Sequence, residues 1–246
     1  MKISLSVETY KGVDGSSLSK ARCNQIIKVY EMLEQFGNEN ITYVGIQELA
    51  ESQRLFGSTA AKSAIRTFFP LLKKLEFVNY EGIFPANKCF TSLGTQFVLT
   101  CRAINNVSEE TPNSKEILAR LHHIKRNIQK EGILNMRNNP SYSNNNLWLA
   151  LLLFKRCRVI HWNEFLYLLH CKEYSKDIND SLNDISKLKD EIEEYEFVNE
   201  KGDNLPNTCY SYLRSLLTET GIIENLTPSI SSVTEEADEF FHALNL

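Results

Sequence analysis

The sequence lacks several features that would place it in common functional classes. Its longest uninterrupted apolar run is residues 147–154, which is far short of the ~20 residues that a membrane-spanning helix needs. The first residues, Met-Lys-Ile-Ser-Leu-Ser, have neither the extended apolar region nor the small-residue cleavage site of a secretory signal. We therefore expect a cytoplasmic protein that has no membrane partner.

Motifs for catalysis and cofactor binding are missing as well. The sequence contains no glycine-rich phosphate loop and no nucleophile elbow, and its 6 cysteines include no CxxC pair. The only grouping of metal-ligating residue types, Cys157, His161, His170 and Cys171, matches no common zinc spacing. We therefore expect reduced, packed cysteines and a non-enzymatic protein with no catalytic residues, no metal site and no cofactor.

The charged residues are distributed unevenly along the chain. Residues 1–145 hold 18 Lys or Arg against 13 Asp or Glu, whereas residues 146–246 hold 9 against 18. A basic half suits a polyanionic partner, and an acidic half suits a protein partner or none. Ordinary variation of the surface charge is the alternative explanation.

Residues 58–80, STAAKSAIRTFFPLLKKLEFVNY, are the most informative stretch. In a helix, at ~100° per residue, Ile65, Phe68 and Leu72 would lie on one face. The Ser58 hydroxyl can accept an amide proton of the first turn and so cap this helix. A strand-like Phe-Val-Asn-Tyr segment follows. The face of the helix opposite these apolar residues would carry a row of polar and basic side chains, namely Thr59, Lys62, Ser63, Arg66 and Lys73.

Pro70 conflicts with a regular helix at this position. Within a helix, proline removes one backbone hydrogen bond and clashes with the preceding turn, at a cost of ~3 kcal/mol. We expect either a kink at residues 66–69 or a break with Pro70 opening a second segment. Lys62 and Arg66 precede the disturbance in both cases.

The neighbouring segments predict a helix at residues 20–36, a strand at 41–44, a helix at 45–52, a wing at 82–90 and a closing helix that ends near residue 105. This order, with a Thr-x-x-Gly segment entering the last helix, resembles the winged-helix superfamily of many bacterial transcription regulators. The resemblance covers residues 20–105. It implies a DNA-reading helix, although winged helices also serve as protein-interaction modules.

The same apolar pattern returns from residue 147 onward, and residues 207–218 are typical of a second recognition helix. Residues 208–223 are also similar to winged-helix units attached to restriction endonucleases. The predicted fold is mainly α with small β wings (α+β), as two winged-helix units in tandem. The predicted domains are 1–105 with an N-terminal arm, 106–146 as a basic helical linker, 147–226 with an acidic helical insertion at 172–206, and 227–246 as an acidic tail.

Three of these segments allow more than one interpretation. The linker helix at residues 114–130 can clamp phosphates or be a solvated connector. The carboxylates of the insertion surround an amphipathic helix, and they lack the lysine spacing of a nuclease site. The tail can fold back onto the body of the protein or dock on a partner.

The first functional hypothesis is a regulator or DNA-recognition subunit that binds duplex DNA through residues 50–130. The second is a non-enzymatic interaction subunit, since winged-helix pairs that accompany the bridging subunits of chromosome-organising ATPases have a similar layout. The acidic half would then contact a protein partner, and a dimer fits both hypotheses. The candidate DNA-binding residues are Arg54, Ser58, Thr59, Lys62, Ser63, Arg66, Lys73, Lys88, Lys125, Arg126, Ser211 and Arg214.

Overall fold

The computed structural model describes residues 3–7, 17–57, 60–139, 141, 146–199, 201–205 and 208–246. The protein is mainly helical with small sheets, consistent with the predicted α+β class. The chain divides by its internal contacts into two units. Residues 14–143 form the basic unit, with 16 Lys or Arg against 12 Asp or Glu. Residues 1–13 and 144–246 form the acidic unit, with 11 against 19.

Both units contain helices and short strands. In chain order the described elements are β1 (Ser4–Ser6), α1 (Lys20–Phe36), β2 (Asn40–Thr42), α2 (Tyr43–Ser52), α3 (Ala61–Lys74), β3 (Ile83–Pro85), a short 3-10 helix (Ala86–Lys88), α4 (Ser92–Asn106), α5 (Ser114–Asn138), α6 (Asn146–Cys157), β4 (Val159–His161), α7 (Trp162–Glu173), α8 (Ile178–Lys187), α9 (Lys189–Glu193), β5 (Glu196–Val198), α10 (Thr208–Glu219), β6 (Ile223–Asn225), β7 (Ile230–Val233) and α11 (Ala237–Ala243).

The basic unit encloses one hydrophobic core. Helix α2 packs on α3, and α4 packs on both α1 and α5. Strand β2 pairs antiparallel with β3, with Ile41 opposite Phe84, and an isolated antiparallel bridge joins Val78 to Phe90. The apolar faces of the helices meet inside the unit, where the fully buried side chains include Ile26, Leu33, Ile46, Ile65, Phe68, Phe77 and Phe97.

Helix α3 continues through Pro70 from Ala61 to Lys74. Of the two predicted alternatives, the break at Pro70 is therefore wrong. The side chains of Phe68, Phe69, Leu71 and Leu72 on both sides of the proline are completely buried. Burying each such side chain contributes ~1.5 to 3 kcal/mol. Together they outweigh the ~3 kcal/mol that an internal proline costs.

The acidic unit is built around a three-stranded antiparallel sheet in the order β4-β7-β6. Ile160 of β4 lies opposite Ser231 of the central strand. The segment predicted as one acidic helical insertion contains α8, α9 and β5 instead, because the helical conformation is interrupted at Leu188. Strand β5 pairs in parallel with β1, with Phe197 opposite Leu5.

The exits from α3 and α10 are formed by the same hydrogen bonds. The Phe77 amide donates to the Leu72 carbonyl at 2.8 Å, and the Ile222 amide donates to the Leu217 carbonyl at 3.1 Å. The residue before each donor has a positive φ, 59° at Glu76 and 72° at Gly221.

The ends of α2, α7 and α11 have the same type of bond, but among the described residues only after α3 and α10 does a threonine from the following segment bond to this exit: the Thr91 amide donates to the Phe77 carbonyl and the Thr234 amide to the Ile222 carbonyl, each at 3.0 Å. On this basis Leu72 corresponds to Leu217, and α3 to α10.

The starts of α2 and α7 also correspond. The Thr42 hydroxyl accepts a hydrogen bond from the Gly45 amide at 3.1 Å, and His161 Nδ1 accepts one from the Asn163 amide at 3.2 Å. Thr42 is the last residue of β2 and His161 the last residue of β4. Each is paired in its sheet with an isoleucine, Thr42 with Ile83 and His161 with Ile230. The two units thus share these local contacts at the ends of α3 and α10 and at the starts of α2 and α7, although α8, α9 and β5 have no counterpart in the described part of the basic unit.

The structure differs from the predicted domain boundaries in three places. Strand β1, expected as an arm of the first domain, pairs with β5 in the acidic unit. Helix α5, expected within a separate linker, packs on α4 and buries Ile128, Ile133 and Met136. Residues 227–246, expected as a tail, supply the central strand β7 and the helix α11, whose Phe240 and Phe241 are buried.

Candidate nucleic-acid interface

Helix α3 presents a polar face beside α2. The helix begins at Ala61, and Ala60 at the capping position makes no side-chain hydrogen bond to the helix, so the cap is not the predicted Ser58. The candidates Ser58 and Thr59 lie outside the described residues. The first turn is instead bound by Glu51 of α2, whose Oε2 accepts a hydrogen bond from the Lys62 amide at 2.9 Å. A carboxylate at a helix start is favourable because the exposed amides there carry partial positive charge.

Arg66, in the second turn of α3, is exposed but held in place by a buried partner. Its Nε donates to Oε1 of Gln47 at 2.8 Å, and the Gln47 side chain is only 2% exposed. Gln47 lies on the inward face of α2, between the buried Ile46 and Ala50. Since an amide carbonyl anchored in the core moves little, it fixes the direction of the guanidinium.

Two stacked tyrosines lie beside this part of α3. The rings of Tyr43 and Tyr80 are parallel to within 20° with centroids 4.4 Å apart, and the ring of Phe69 lies 5.8 Å from Tyr43. Burial, followed by the proximity of Tyr80, raises the pKa of Tyr43, while the nearby positive charge of Arg66 acts in the opposite direction. Arg66 therefore lies near enough to Tyr43, one ring of the stacked pair, to affect its pKa.

Lys73 lies on the polar face of α3 but is already engaged. Its Nζ forms an ion pair of 2.9 Å with Glu81 Oε1 and lies 5.0 Å from the centre of the Tyr80 ring. Glu81 is next to Gly82, which has a φ of 66° and marks the turn between the Val78 segment and β3. The tip of the predicted wing is therefore this turn, and it carries an acidic residue.

Lys88 lies away from that tip. The residues before it bond to the connection between α1 and β2, since the Asn87 amide donates to the Gly37 carbonyl and the Asn87 side chain to Asn38. Lys88 is exposed at the end of the 3-10 helix. Arg54 is exposed in the turn after α2, with a φ of 49°.

Lys125 and Arg126 of α5 have different environments. Lys125 Nζ donates to the Leu18 carbonyl at 3.4 Å and lies 5.9 Å from the centre of the Phe97 ring. This lysine is therefore directed at the body of the basic unit, whereas Arg126 is exposed. Burial and these two cations lower the pKa of His122.

Arg214 of α10 holds a hairpin loop together. Its guanidinium donates to Asn225 Oδ1 at 2.7 Å, to the carbonyls of Thr227 and Pro228, and to the Ile230 carbonyl at 3.3 Å. All of its nitrogens are used by the loop between β6 and β7. The other candidate of this helix, Ser211, is half-buried beside it.

The structure brings Lys62, Ser63 and Arg66 together on one face of α3. It joins Lys73 to Glu81 and turns Lys125 and Arg214 toward the protein. Sequence reasoning missed the contributions of Gln47, Glu51, Tyr43 and Tyr80. A glutamine on the apolar face of α2 was a visible signal for the first of these, since a buried amide needs a partner.

In the grouping of Cys157, His161, His170 and Cys171, both histidines make structural contacts. His161 Nδ1 caps α7, and His170 Nδ1 lies 2.7 Å from the Ser6 carbonyl oxygen. Within the described part of the chain, no three His, Cys, Asp or Glu side chains are arranged to hold a metal ion. Nor does that part contain a helix long and apolar enough to cross a membrane.

Comparison with known proteins gives no relative for this arrangement. No protein-family model, no curated protein and no solved structure matches the chain.

Proposed function

We propose that the protein binds duplex DNA through α3 of the basic unit, and that both units are winged helices. In this proposal α3 enters the major groove and α2 lies across the backbone. The acidic unit, with an excess of carboxylates, stays away from the phosphates.

The observation that carries the proposal is the composition of the exposed face of α3. Among the described residues, no carboxylate pairs with the side chains of Lys62 or Arg66. Three other cations of the same unit are paired, Lys73 with Glu81, Arg102 with Glu31 and Arg120 with Glu116. Cations with no acidic partner keep their full attraction for phosphate.

The expected footprint is smaller than the twelve candidates suggest. Lys125 and Arg214 bond to backbone carbonyls of the protein, and Lys73 would have to leave Glu81 to contact DNA. Lys62, Ser63 and Arg66 form the centre of the proposed interface. Arg54, Lys88 and Arg126 remain exposed and can contact phosphates at its margins.

The test is fluorescence polarisation with random-sequence duplex DNA at several salt concentrations. We expect binding whose logarithm falls linearly with the logarithm of salt, with a slope of ~0.9 per phosphate contacted. The double variant Lys62→Ala, Arg66→Ala should bind more weakly, with a slope flatter by about one unit for the phosphate contact expected of Lys62.

A matched control removes the same charge elsewhere. The double variant Arg102→Ala, Arg120→Ala also lowers the net charge by two, at cations that already have acidic partners. It should keep the wild-type slope. Equal losses in both double variants would mean that only net charge matters and would contradict an interface on α3.

The second candidate function is an interaction subunit of a larger DNA-associated complex. The hairpin loop uses all of the Arg214 nitrogens, so the outward face of α10 has no available cation among its described side chains. This observation favours the second function. Absence of duplex binding by the folded chain at the lowest salt would favour this function over the first. The acidic unit would then be the part to test for a protein partner.

A further inference from the structure

The Arg66 guanidinium has a fixed direction and two uncommitted ends. Its Nε is bonded to Gln47 at 2.8 Å. Among the described residues, no group accepts a hydrogen bond from either of its Nη atoms. A guanidinium held at Nε presents these two Nη groups as a rigid fork of parallel donors.

The comparison between the two units shows that the fold does not require this anchor. Because Thr42 corresponds to His161, Gln47 in α2 corresponds to Leu166 in α7. Leu166 is 4% exposed and Gln47 2% exposed, so both positions are core positions. An apolar side chain fills the position well in the acidic unit, whereas a buried amide is costly unless it is hydrogen-bonded.

In the acidic unit the counterpart of Arg66 also differs, as the counterpart of Gln47 does. Since Leu72 corresponds to Leu217, counting six residues back in each helix makes Ser211 the counterpart of Arg66. The acidic unit thus has neither the amide nor the guanidinium, and the basic unit has both. The buried amide of Gln47 is therefore explained by the arginine that it holds, and not by the packing of the helices.

The Lys62 amide at the start of α3 is not available to a phosphate. The Glu51 carboxylate is bonded to the Lys62 amide there, and a phosphate at this position would meet its negative charge. Arg66 is one turn further along, near Tyr43. Because the Arg66 fork is fixed and follows the Glu51 carboxylate along the helix, it is better suited to the uncharged acceptors of a base than to the phosphates of the DNA backbone.

We propose that Arg66, positioned by Gln47, reads a guanine in the major groove, an inference that rests on the proposed binding of duplex DNA by α3. Guanine presents two acceptors there, O6 and N7, at the spacing of the two Nη donors. Adenine presents one acceptor and one donor, so it cannot satisfy both. Gln47 is a positioning residue that does not itself touch the base.

The test starts with selection of binding duplexes from a pool with a randomised core. The selected sites should share a guanine. Replacing it with 7-deazaguanine removes N7 and keeps the base pair, and this change should weaken binding by the wild type by about 5-fold or more. The variant Arg66→Lys keeps the charge but lacks both the fork and the Nε that Gln47 holds, so it should be much less sensitive to the replacement.

Gln47→Leu copies the acidic unit and tests the anchor. We expect it to fold, because leucine occupies the matching position there, and to bind random duplexes like the wild type with a weaker preference for guanine. Arg54→Lys, at an exposed arginine of the same unit, is the control and should keep the full preference. Circular dichroism of each variant excludes unfolding as the cause of a change.

The outcomes separate the two proposals. If the wild type binds duplexes but selects no shared guanine, or if Arg66→Lys keeps the sensitivity to 7-deazaguanine, the guanine inference is overturned and DNA binding stands. If the wild type binds no duplex at low salt, DNA binding itself fails. Loss of discrimination with retained random-duplex binding in Arg66→Lys is the supporting result.

Discussion

Thr91 and Thr234 occupy the same position in the two units. The Thr91 hydroxyl donates to the Glu76 carbonyl at 2.6 Å, and the Thr234 hydroxyl donates to the Gly221 carbonyl at 2.6 Å. Each threonine ties the segment before the next helix, α4 or α11, to the end of α3 or α10. The hydroxyl group is therefore a shared structural connection that fixes the exit of these helices.

Removal of either hydroxyl should destabilise the protein, and Thr91→Val should cost more because the Thr91 hydroxyl also accepts a hydrogen bond from the Gly94 amide at 3.1 Å and so caps α4. Thr91→Val and Thr234→Val each keep the shape of the side chain and leave one carbonyl without its donor, which costs about 1 kcal/mol. Urea unfolding followed by circular dichroism measures the change. Thr100→Val is the control, because the Thr100 hydroxyl bonds only to the Gln96 carbonyl on an exposed helix surface. A control as damaging as the other two variants would refute the shared connection.

The hairpin between β6 and β7 should depend on Arg214. Its guanidinium is the donor for the carbonyls of Thr227, Pro228 and Ile230. Arg214→Ala should therefore speed hydrogen exchange in residues 223–233 and reduce the free energy of unfolding by about 1 to 2 kcal/mol. Duplex binding should stay unchanged, since this cation is not available to DNA. A parallel loss of affinity and salt slope would instead place α10 at the interface.

Helices with long apolar patterns were predicted well from the sequence. The predicted helix at residues 20–36 is α1, and the mainly helical α+β class is confirmed. Strand β7 was missed because two of its four residues, Ser231 and Ser232, are polar although they are buried in the centre of a sheet. A buried polar strand has no apolar alternation by which it could be found.

Contacts between distant residues account for the other differences. The parallel pairing of β1 with β5 joins residues far apart in the chain, and a three-residue strand has no local signal of its partner. The roles of Gln47 and Arg214 likewise depend on which side chain lies opposite. The sequence identified the polar face of α3, but only the packed structure shows which of its cations are already paired.

The stability of the acidic unit should depend on pH through Glu164. This carboxylate is completely buried in the first turn of α7, with Lys189 Nζ 3.7 Å from Oε1. Burial raises the pKa of Glu164 to about 7, Lys189 acts to lower it, and Glu193 acts to raise it. His161, at the start of the same helix, has a pKa lowered by burial.

The direction of this pH dependence follows from proton binding. Between the ordinary glutamate pKa of about 4.5 and the folded value of about 7, the folded state binds more protons than the unfolded state. Stability should therefore fall as pH rises through this window, by about 3 kcal/mol in total. Glu164→Gln should remove this loss and be more stable than the wild type at pH values above 7.

Urea unfolding at a series of pH values tests this prediction. Glu194→Gln, which changes an exposed carboxylate of the same segment, is the control and should keep the wild-type pH dependence. Identical pH profiles for the wild type and Glu164→Gln would show that Glu164 is ionised in the folded protein throughout this range.

A pair of aspartate substitutions should show that only one unit contacts DNA. Ser63→Asp adds a negative charge to the exposed face of α3, next to Lys62 and one turn before Arg66. Repulsion of phosphate should weaken duplex binding by about tenfold or more. The folded state should not suffer, because an acidic residue in the first turn of a helix is favourable.

Ser211→Asp adds the same negative charge to α10, at the position that matches Arg66. If the acidic unit lies away from DNA, this variant should bind duplexes as the wild type does. Fluorescence polarisation at one low and one moderate salt concentration measures both variants. Equal weakening by the two substitutions would mean that both units bind the duplex, and the protein would then occupy a long asymmetric site. Weakening by Ser63→Asp alone would leave the acidic unit as the surface for a protein partner.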